Sequence, residues 1–212
     1  MYPVIGASPV NMPHNPPPQK VAGSMLVHTC CGPCSVYPVK KMLEGRAEVR
    51  GYFFNPNIHP YSEFKKRLDA VKRLAGLLSI DFMCEEDYTP TMFIDRMKKH
   101  CTIGEGRIPA KALRCMECYA MRLKKTAETA KTIGFECFTT TLLYSRFQMH
   151  DEIKEIGCAV AGELGLSFFY EDFRAGWQEG IDESKAMGLF RQRYCGCIYS
   201  RIERSRGKGK HL

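Results

Sequence analysis

Apolar residues recur along this chain in two alternating rhythms. Short runs dominated by apolar side chains, at Met25–Val27, Val49–Phe54, Ile80–Cys84, Phe135–Leu143 and Leu166–Tyr170, give way within two residues to polar or charged ones and predict buried strands. Between them the period changes to that of a helix. Tyr61–Leu78 is the clearest case, with Tyr61, Phe64, Leu68, Val71, Leu74, Ala75 and Leu78 on one face and basic residues opposite. Ser35–Leu43, Tyr88–Lys99, the stretch from Arg114 to Ile133, the stretch from Asp151 to Leu164 and Trp177–Met187 read the same way, and Gly134 supplies a helix stop.

Strands and helices that alternate at these lengths predict an α/β fold, a parallel, doubly wound, Rossmann-like sheet flanked by helices. In that architecture ligands collect beyond the carboxyl ends of the strands. The polar and sulfur-rich segments Cys30–Cys34, Asn55–His59, Tyr144–His150 and Asp172–Arg174 all fall at predicted strand ends. A cysteine-rich metal site is expected there. The N-terminal stretch 1–23 is Pro-rich, with Pro16, Pro17 and Pro18 consecutive, and has neither period. It reads as a disordered or loosely docked tail in which His14 is solvated. Residues 24–200 form a single catalytic domain in this reading, and the basic stretch 201–212 a mobile C-terminal tail.

With 212 residues, 44% of them hydrophobic, the chain can bury a substantial core. No run approaches the roughly 20 apolar residues that span a membrane. The beginning of the chain shows no basic region followed by an apolar signal core, so a cytoplasmic location is expected. The formal charge of +8 suits a polyanionic partner without naming it.

The eleven cysteines then become informative. In a reducing compartment the groups Cys30-Cys31-x-x-Cys34, Cys115-x-x-Cys118 and Cys195-x-Cys197 point to metal or redox chemistry rather than structural disulfides. Cys31-Gly-Pro-Cys34 alone spells a thioredoxin-type dithiol at a helix N-terminus. The vicinal Cys30 and the two later pairs argue against that reading. Four thiolates drawn from Cys115, Cys118 and the first group suit zinc or a [4Fe–4S] cluster, and spacing does not choose between them. Cys195 and Cys197 are either a reactive pair or packing residues. Cys84, Cys101, Cys137 and Cys158 are isolated and read as core residues.

Among other polar residues, His28 lies inside a strand and reads as a satisfied core histidine. His59 and His150 stand on strand-end loops suited to proton transfer, with Asp172 a third candidate. Asn55, Asn57, Tyr61, Gln148, Arg174, Arg191 and Arg193 are candidate substrate contacts. For the asparagines and Asp172 the alternative is turn bracing, and for the arginines it is structural pairing with carboxylates.

Taken together, His28-Thr-Cys-Cys-Gly-Pro-Cys34, Phe54-Asn-Pro-Asn-Ile-His-Pro-Tyr61, Arg114-Cys-Met-Glu-Cys-Tyr119, Phe138-Thr-Thr-Thr-Leu-Leu143, Glu171-Asp-Phe-Arg174 and Tyr194-Cys-Gly-Cys197 resemble the QueH type of epoxyqueuosine reductase. The resemblance runs in order across about residues 25–200. It implies a nucleotide α-hydrolase-like fold and reduction of epoxyqueuosine in a tRNA anticodon, with an electron donor the sequence does not name. It implies a [4Fe–4S] cluster on Cys30, Cys31, Cys115 and Cys118, and an additional iron with Cys34 as a ligand. No Ser-Gly-Gly-x-Asp-Ser loop is present, so the ATP chemistry of related folds is not expected.

Overall fold

The computed structural model describes residues 23–44, 48–100 and 108–207. The Pro-rich tail before Gly23, the lone Cys101 and residues 208–212 of the basic tail lie outside the described residues. Five strands form one all-parallel sheet: β1 (Ser24–His28), β2 (Glu48–Phe53), β3 (Phe82–Cys84), β4 (Cys137–Thr140) and β5 (Ser167–Phe168). Their order is β3-β2-β1-β4-β5. Met25 sits opposite both Val49 and Cys137, so β1 is bonded on both edges. Helices cover both faces as well, which is why Met25, Leu26 and Val27 form an unbroken apolar run instead of alternating.

The helices are α1 (Gly32–Leu43), α2 (Tyr61–Leu78), α3 (Pro90–His100), α4 (Lys111–Thr132), α5 (His150–Leu164), α6 (Trp177–Ala186) and α7 (Ile198–Ser205). Helix α1 packs on α2 and α6, and α4 packs on α5 and the central strands. Gly32 permits the first of these contacts. A Cβ there would stand 2.8 Å from the Ala70 carbonyl oxygen of α2, so the glycine of Cys31-Gly-Pro-Cys34 serves helix packing.

The chain winds outward from β1 to β3, then returns to place β4 on the other side of β1. Strand order therefore reverses between β1 and β4, and the loops after these two strands diverge there to leave a crevice. Two sequence expectations change at this point. The apolar run Phe135–Leu143 is strand only through Thr140, then tightens into a 3₁₀ turn at Thr141–Tyr144, because the Thr140 hydroxyl accepts from the Leu142 N–H and caps it. Helix α7 also continues past Ser200 into the stretch expected to be mobile. Arg114 Nη2 donates to Glu203 at 2.5 Å, and the Phe93 ring meets Tyr199 edge-on at 6.0 Å, tying α7 to α4 and α3.

Cys137 is fully buried, as a core cysteine should be, but Cys158 is exposed on α5, so the core reading is corrected there. Among the described residues no helix is long and apolar enough to cross a membrane.

Candidate active site

β1 delivers its last residue, His28, to the crevice floor. His28 Nδ1 is 2.9 Å from Thr140 Oγ1, and Nε2 is 3.2 Å from the Phe54 carbonyl oxygen. Burial, reinforced by the nearby Arg122 charge, lowers its pKa to about 3 and keeps the ring neutral. It is a satisfied core histidine that locks the ends of β1, β2 and β4 together.

Two residues on, the chain turns into α1 and the first thiols converge. The sulfurs of Cys30, Cys31 and Cys34 all lie within 4.8 Å of one another. Gln192 Nε2 approaches Cys31 Sγ at 2.9 Å and Cys34 Sγ at 3.3 Å, while Thr141 Oγ1 lies 3.5 Å from Cys30 Sγ. Hydrogen bonds from the Cys31 and Cys34 thiols hold the Cys30 pKa well below the usual thiol range. Burial raises Cys31, and donation to Cys30 raises Cys34. Of the three sulfurs, Cys30 is thus the most readily ionised. A cation entering here would displace the remaining protons.

Helix α4 brings the second pair. Cys115 and Cys118 lie one turn apart and both line the cavity above the first group. Burial raises both thiols, Cys118 to about 12. Arg122, one turn further and almost fully buried, has its Nε 3.2 Å from the Cys118 carbonyl oxygen. Burial opposes its charge, but the facing Cys118 and Cys30 more than offset this.

The third pair sits on a turn clamped from two sides. His59 N–H donates to the Gly196 carbonyl oxygen at 2.9 Å, and Ile58 bridges Cys197 in antiparallel fashion. From α2, Arg67 donates to the carbonyl oxygens of Tyr194 at 2.8 Å and Cys195 at 3.1 Å, and pairs with Glu63 at 2.7 Å. Gly196 has φ +105°, the left-handed region that the tight Cys-Gly-Cys turn requires. Cys197 caps α7, while Cys195 Sγ lies 3.0 Å from Ser200 Oγ. The Cys197 thiol, helped by Ser200, lowers the Cys195 pKa to about 5, and Cys197 is raised in turn.

All three cysteine groups therefore face one cavity. Its walls include Cys30, Cys34, Cys115, Cys118, Cys195 and Cys197, with the buried cations Arg67, Arg114 and Arg122 among them. A six-thiol cavity supported by three buried arginines offers soft ligands that could bind a metal. The family model described as epoxyqueuosine reductase QueH matches residues 25–203. The chain belongs to the QueH family of oxidoreductases. It is 35% identical over 189 residues to the epoxyqueuosine reductase QueH of Thermotoga maritima, a match covering 86% of this chain and 92% of that protein. The QueH of Dehalococcoides mccartyi is 33% identical over 184 residues, covering 87% and 96%. That of Helicobacter pylori is 36% identical over 185 residues, covering 83% of this chain and 49% of that longer protein.

The other expected site residues of this QueH chain divide into two groups. Asn57, Gln148 and Arg191 line the cavity. Asn57 Oδ1 is buried with no hydrogen-bond partner, which leaves an acceptor free at the wall. Asn55, Tyr61, His59, His150, Asp172, Arg174 and Arg193 are not among its walls. Asn55 Nδ2 braces the Thr29 carbonyl at 2.9 Å. His59 Nδ1 is 2.6 Å from the Tyr88 hydroxyl, and Tyr61 is exposed against the same Tyr88 ring. His150 Nε2 lies 3.3 Å from the Ser145 carbonyl oxygen. Arg174 Nε donates to both oxygens of Asp172, at 2.8 and 3.0 Å, in an exposed pair. Arg193 accepts Arg204 on its carbonyl.

Sequence reasoning passed over Arg67, Arg122 and Gln192. Arg67 was counted with the basic face of its helix, yet it directly precedes the core position Leu68. Arg114, Cys118 and Arg122 recur at four-residue spacing, a signal that they share one face of α4.

Proposed function

We propose that this chain reduces the epoxide of epoxyqueuosine, carried in the anticodon of a tRNA, to give queuosine, the last step of queuosine biosynthesis. The observation that carries the reading is the convergence of three cysteine groups, remote in sequence, on one cavity at the switch point of a QueH-family chain. The +8 net charge fits a tRNA partner.

The donor set fits a thiolate-bound metal centre. The three sulfurs within 4.8 Å are soft ligands, Gln192 donates toward two of them, and buried Arg67 and Arg122 offset the charge of several thiolates. Cys30, Cys31, Cys115 and Cys118 would hold the [4Fe–4S] cluster, and Cys34 would be offered to an additional iron. When bound, that centre supplies electrons one at a time and a Lewis-acidic iron.

Deoxygenation breaks both C–O bonds of the epoxide, forms one C=C bond and releases water, consuming two electrons and two protons. The Cys195/Cys197 pair matches the electron requirement: closing an S–S bond between the Cys195 thiolate and the Cys197 thiol releases two electrons and one proton, and the second proton comes from solvent water. The low pKa of Cys195 makes it the thiolate partner, and the protonated Cys197 holds a proton within the cavity wall. An external electron donor then restores the dithiol. We assign one proton to the Cys197 thiol and the other to solvent, since His59, His150 and Asp172 do not line the cavity.

Anaerobically purified protein should be brown, contain iron and acid-labile sulfide, and convert epoxyqueuosine-tRNA to queuosine-tRNA when supplied with a low-potential reductant. Zinc without sulfide and without product would replace this reading with a zinc-stabilised RNA-binding module. Disulfide reduction by metal-free protein would replace it with a dithiol oxidoreductase. Full turnover by Cys195→Ser and Cys197→Ser at intact metal content would remove the dithiol step.

A further inference from the structure

The mouth of the cavity carries an aromatic group that the chemistry above does not use. Of the exposed large apolar side chains among the described residues, Phe147 alone lines the cavity, at 38% exposure. Its ring stands edge-on to Trp177, the single tryptophan of the chain, at 5.9 Å between centroids and 76°. Trp177 is in turn stacked on Tyr144 at 5.1 Å and 26°, and the Tyr144 hydroxyl donates to the Trp177 carbonyl oxygen at 2.7 Å. The platform behind Phe147 is therefore fixed.

So is the turn that presents it. Ser145 N–H donates to Leu142 O at 3.1 Å, Phe147 N–H to Ser145 Oγ at 3.3 Å, and Gln148 N–H to Ser145 O at 3.4 Å. Beyond Phe147, the Tyr119 hydroxyl donates to Gln148 Oε1 at 2.8 Å and accepts from Met149 N–H at 3.3 Å. The turn is held by five hydrogen bonds, and the 38% of Phe147 that stays exposed is apolar area left for a partner to cover. The ring is preorganised for a partner. Two cations belong to the same group of residues: the Arg146 guanidinium lies over the Trp177 ring at 5.5 Å, and Arg191 lines the cavity together with Phe147.

A flat hydrophobic face grouped with two arginines has the chemistry of a single-stranded nucleic acid contact. Every base offers a π-face to an aromatic ring, and the guanidinium groups meet the phosphates that flank it. We propose that Phe147, backed by Trp177 and Tyr144 and grouped with Arg146 and Arg191, is a stacking platform for one nucleobase of the RNA whose modified base enters the cavity. The proposal rests on the functional reading above for its ligand class. The stacked ring is either the modified base itself or an immediate neighbour.

The test measures the affinity of the purified, metal-loaded protein for a short unmodified anticodon stem–loop RNA, and KM and kcat for epoxyqueuosine-tRNA. Phe147→Ala is expected to weaken RNA binding and raise KM roughly tenfold or more, with little change in kcat. Phe147→Leu should lose as much, since leucine is apolar but has no π-face, and Phe147→Trp should keep wild-type affinity. Repeating the comparison on RNAs made abasic at each anticodon position in turn identifies the stacked base, because the Phe147→Ala penalty disappears for that RNA only. Equal affinity of wild type, Phe147→Ala and Phe147→Leu overturns the platform. So does a penalty that survives every abasic substitution, or a wild-type protein that does not bind the RNA. Wild-type reduction of epoxyqueuosine-tRNA together with an indifferent Phe147→Ala sinks the platform alone. Phe147-dependent RNA binding without any reduction sinks the functional reading alone.

Discussion

Arg67 is the side chain whose removal most directly tests how the Cys195–Cys197 turn is built. Its side chain is 3% exposed and its partner Glu63 13%. Within 3.1 Å it makes four bonds: Nε and Nη2 to Glu63 Oε1 at 2.9 and 2.7 Å, Nη2 to Tyr194 O at 2.8 Å, and Nη1 to Cys195 O at 3.1 Å. Arg67→Met keeps the length and apolar stem but strands the Glu63 carboxylate away from water and leaves two carbonyl groups without these donors. Breaking a buried pair by removing one partner costs about 3–5 kcal/mol, and the carbonyl bonds overlap with that figure rather than adding to it. With a urea slope of about 3 kcal/mol/M for a chain of this size, the midpoint should fall by about 1–1.7 M.

The assay is urea unfolding followed by far-UV circular dichroism, on proteins matched for metal content because a bound centre contributes to the apparent stability. Glu63→Leu added to Arg67→Met removes the stranded charge and should recover more than half of the loss. A midpoint shift below about 0.3 M, equivalent to about 1 kcal/mol at that slope, would refute the reasoning, as would a double variant no more stable than the single one. Arg67→Met should nevertheless leave Cys195 acidic. The Cys197 hydrogen bond is the main cause of its low pKa, and the Arg67 charge is a minor one.

Three further outcomes follow from the same geometry. Iodoacetamide alkylation of Cys195 in metal-free protein should titrate with a midpoint near pH 5: the thiolate fraction is full above it and falls as pH drops through it, whereas exposed Cys158, raised by burial of its sulfur, should react appreciably only in alkali. Cys195 reactivity rising only above pH 8, read by peptide mass spectrometry, would contradict this. Gly32→Ala places a Cβ 2.8 Å from the Ala70 carbonyl oxygen, so α1 and α2 must part, and thermal unfolding should show a loss of about 1–3 kcal/mol; an unchanged melting temperature would show that the helices are not in backbone contact. Cys115→Ser and Cys118→Ser should each remove most iron and sulfide from anaerobically prepared protein while circular dichroism stays unchanged, and full iron content would take α4 out of the metal site.

The architecture was legible because each element is buried on a periodic face. β1 is bonded on both edges and covered on both faces, so it advertises itself as an apolar run, and α2 shows its core face at every third or fourth residue. The elements misjudged are those whose ends are decided by a single polar contact. The Thr140 side chain, not a change in hydrophobicity, stops β4 and starts a 3₁₀ turn, and an ion pair with Arg114 holds α7 against the body of the protein.

The site follows the same division. Cysteines are conspicuous at any depth, so all three groups could be named from spacing and all three face the cavity, Cys31 through its contacts with Cys30 and Cys34. Arginine and histidine are ambiguous, because the same residue is equally at home on a solvated face. Arg174 and His59 stand on loops at strand ends as expected, yet one is absorbed by Asp172 and the other by Tyr88. Arg67 and Arg122 looked like ordinary helix-surface charges but lie among the thiols. The distinguishing fact is what each guanidinium faces across the fold, and a helical repeat within one segment does not contain it. For Arg67 that partner is the Tyr194–Cys195 backbone, 127 and 128 residues away. Arg67 is balanced by the Glu63 carboxylate, but Arg122, at 4% exposure, forms no ion pair with a carboxylate among the described residues, so its burial is itself an argument that the facing sulfurs carry negative charge in the working enzyme.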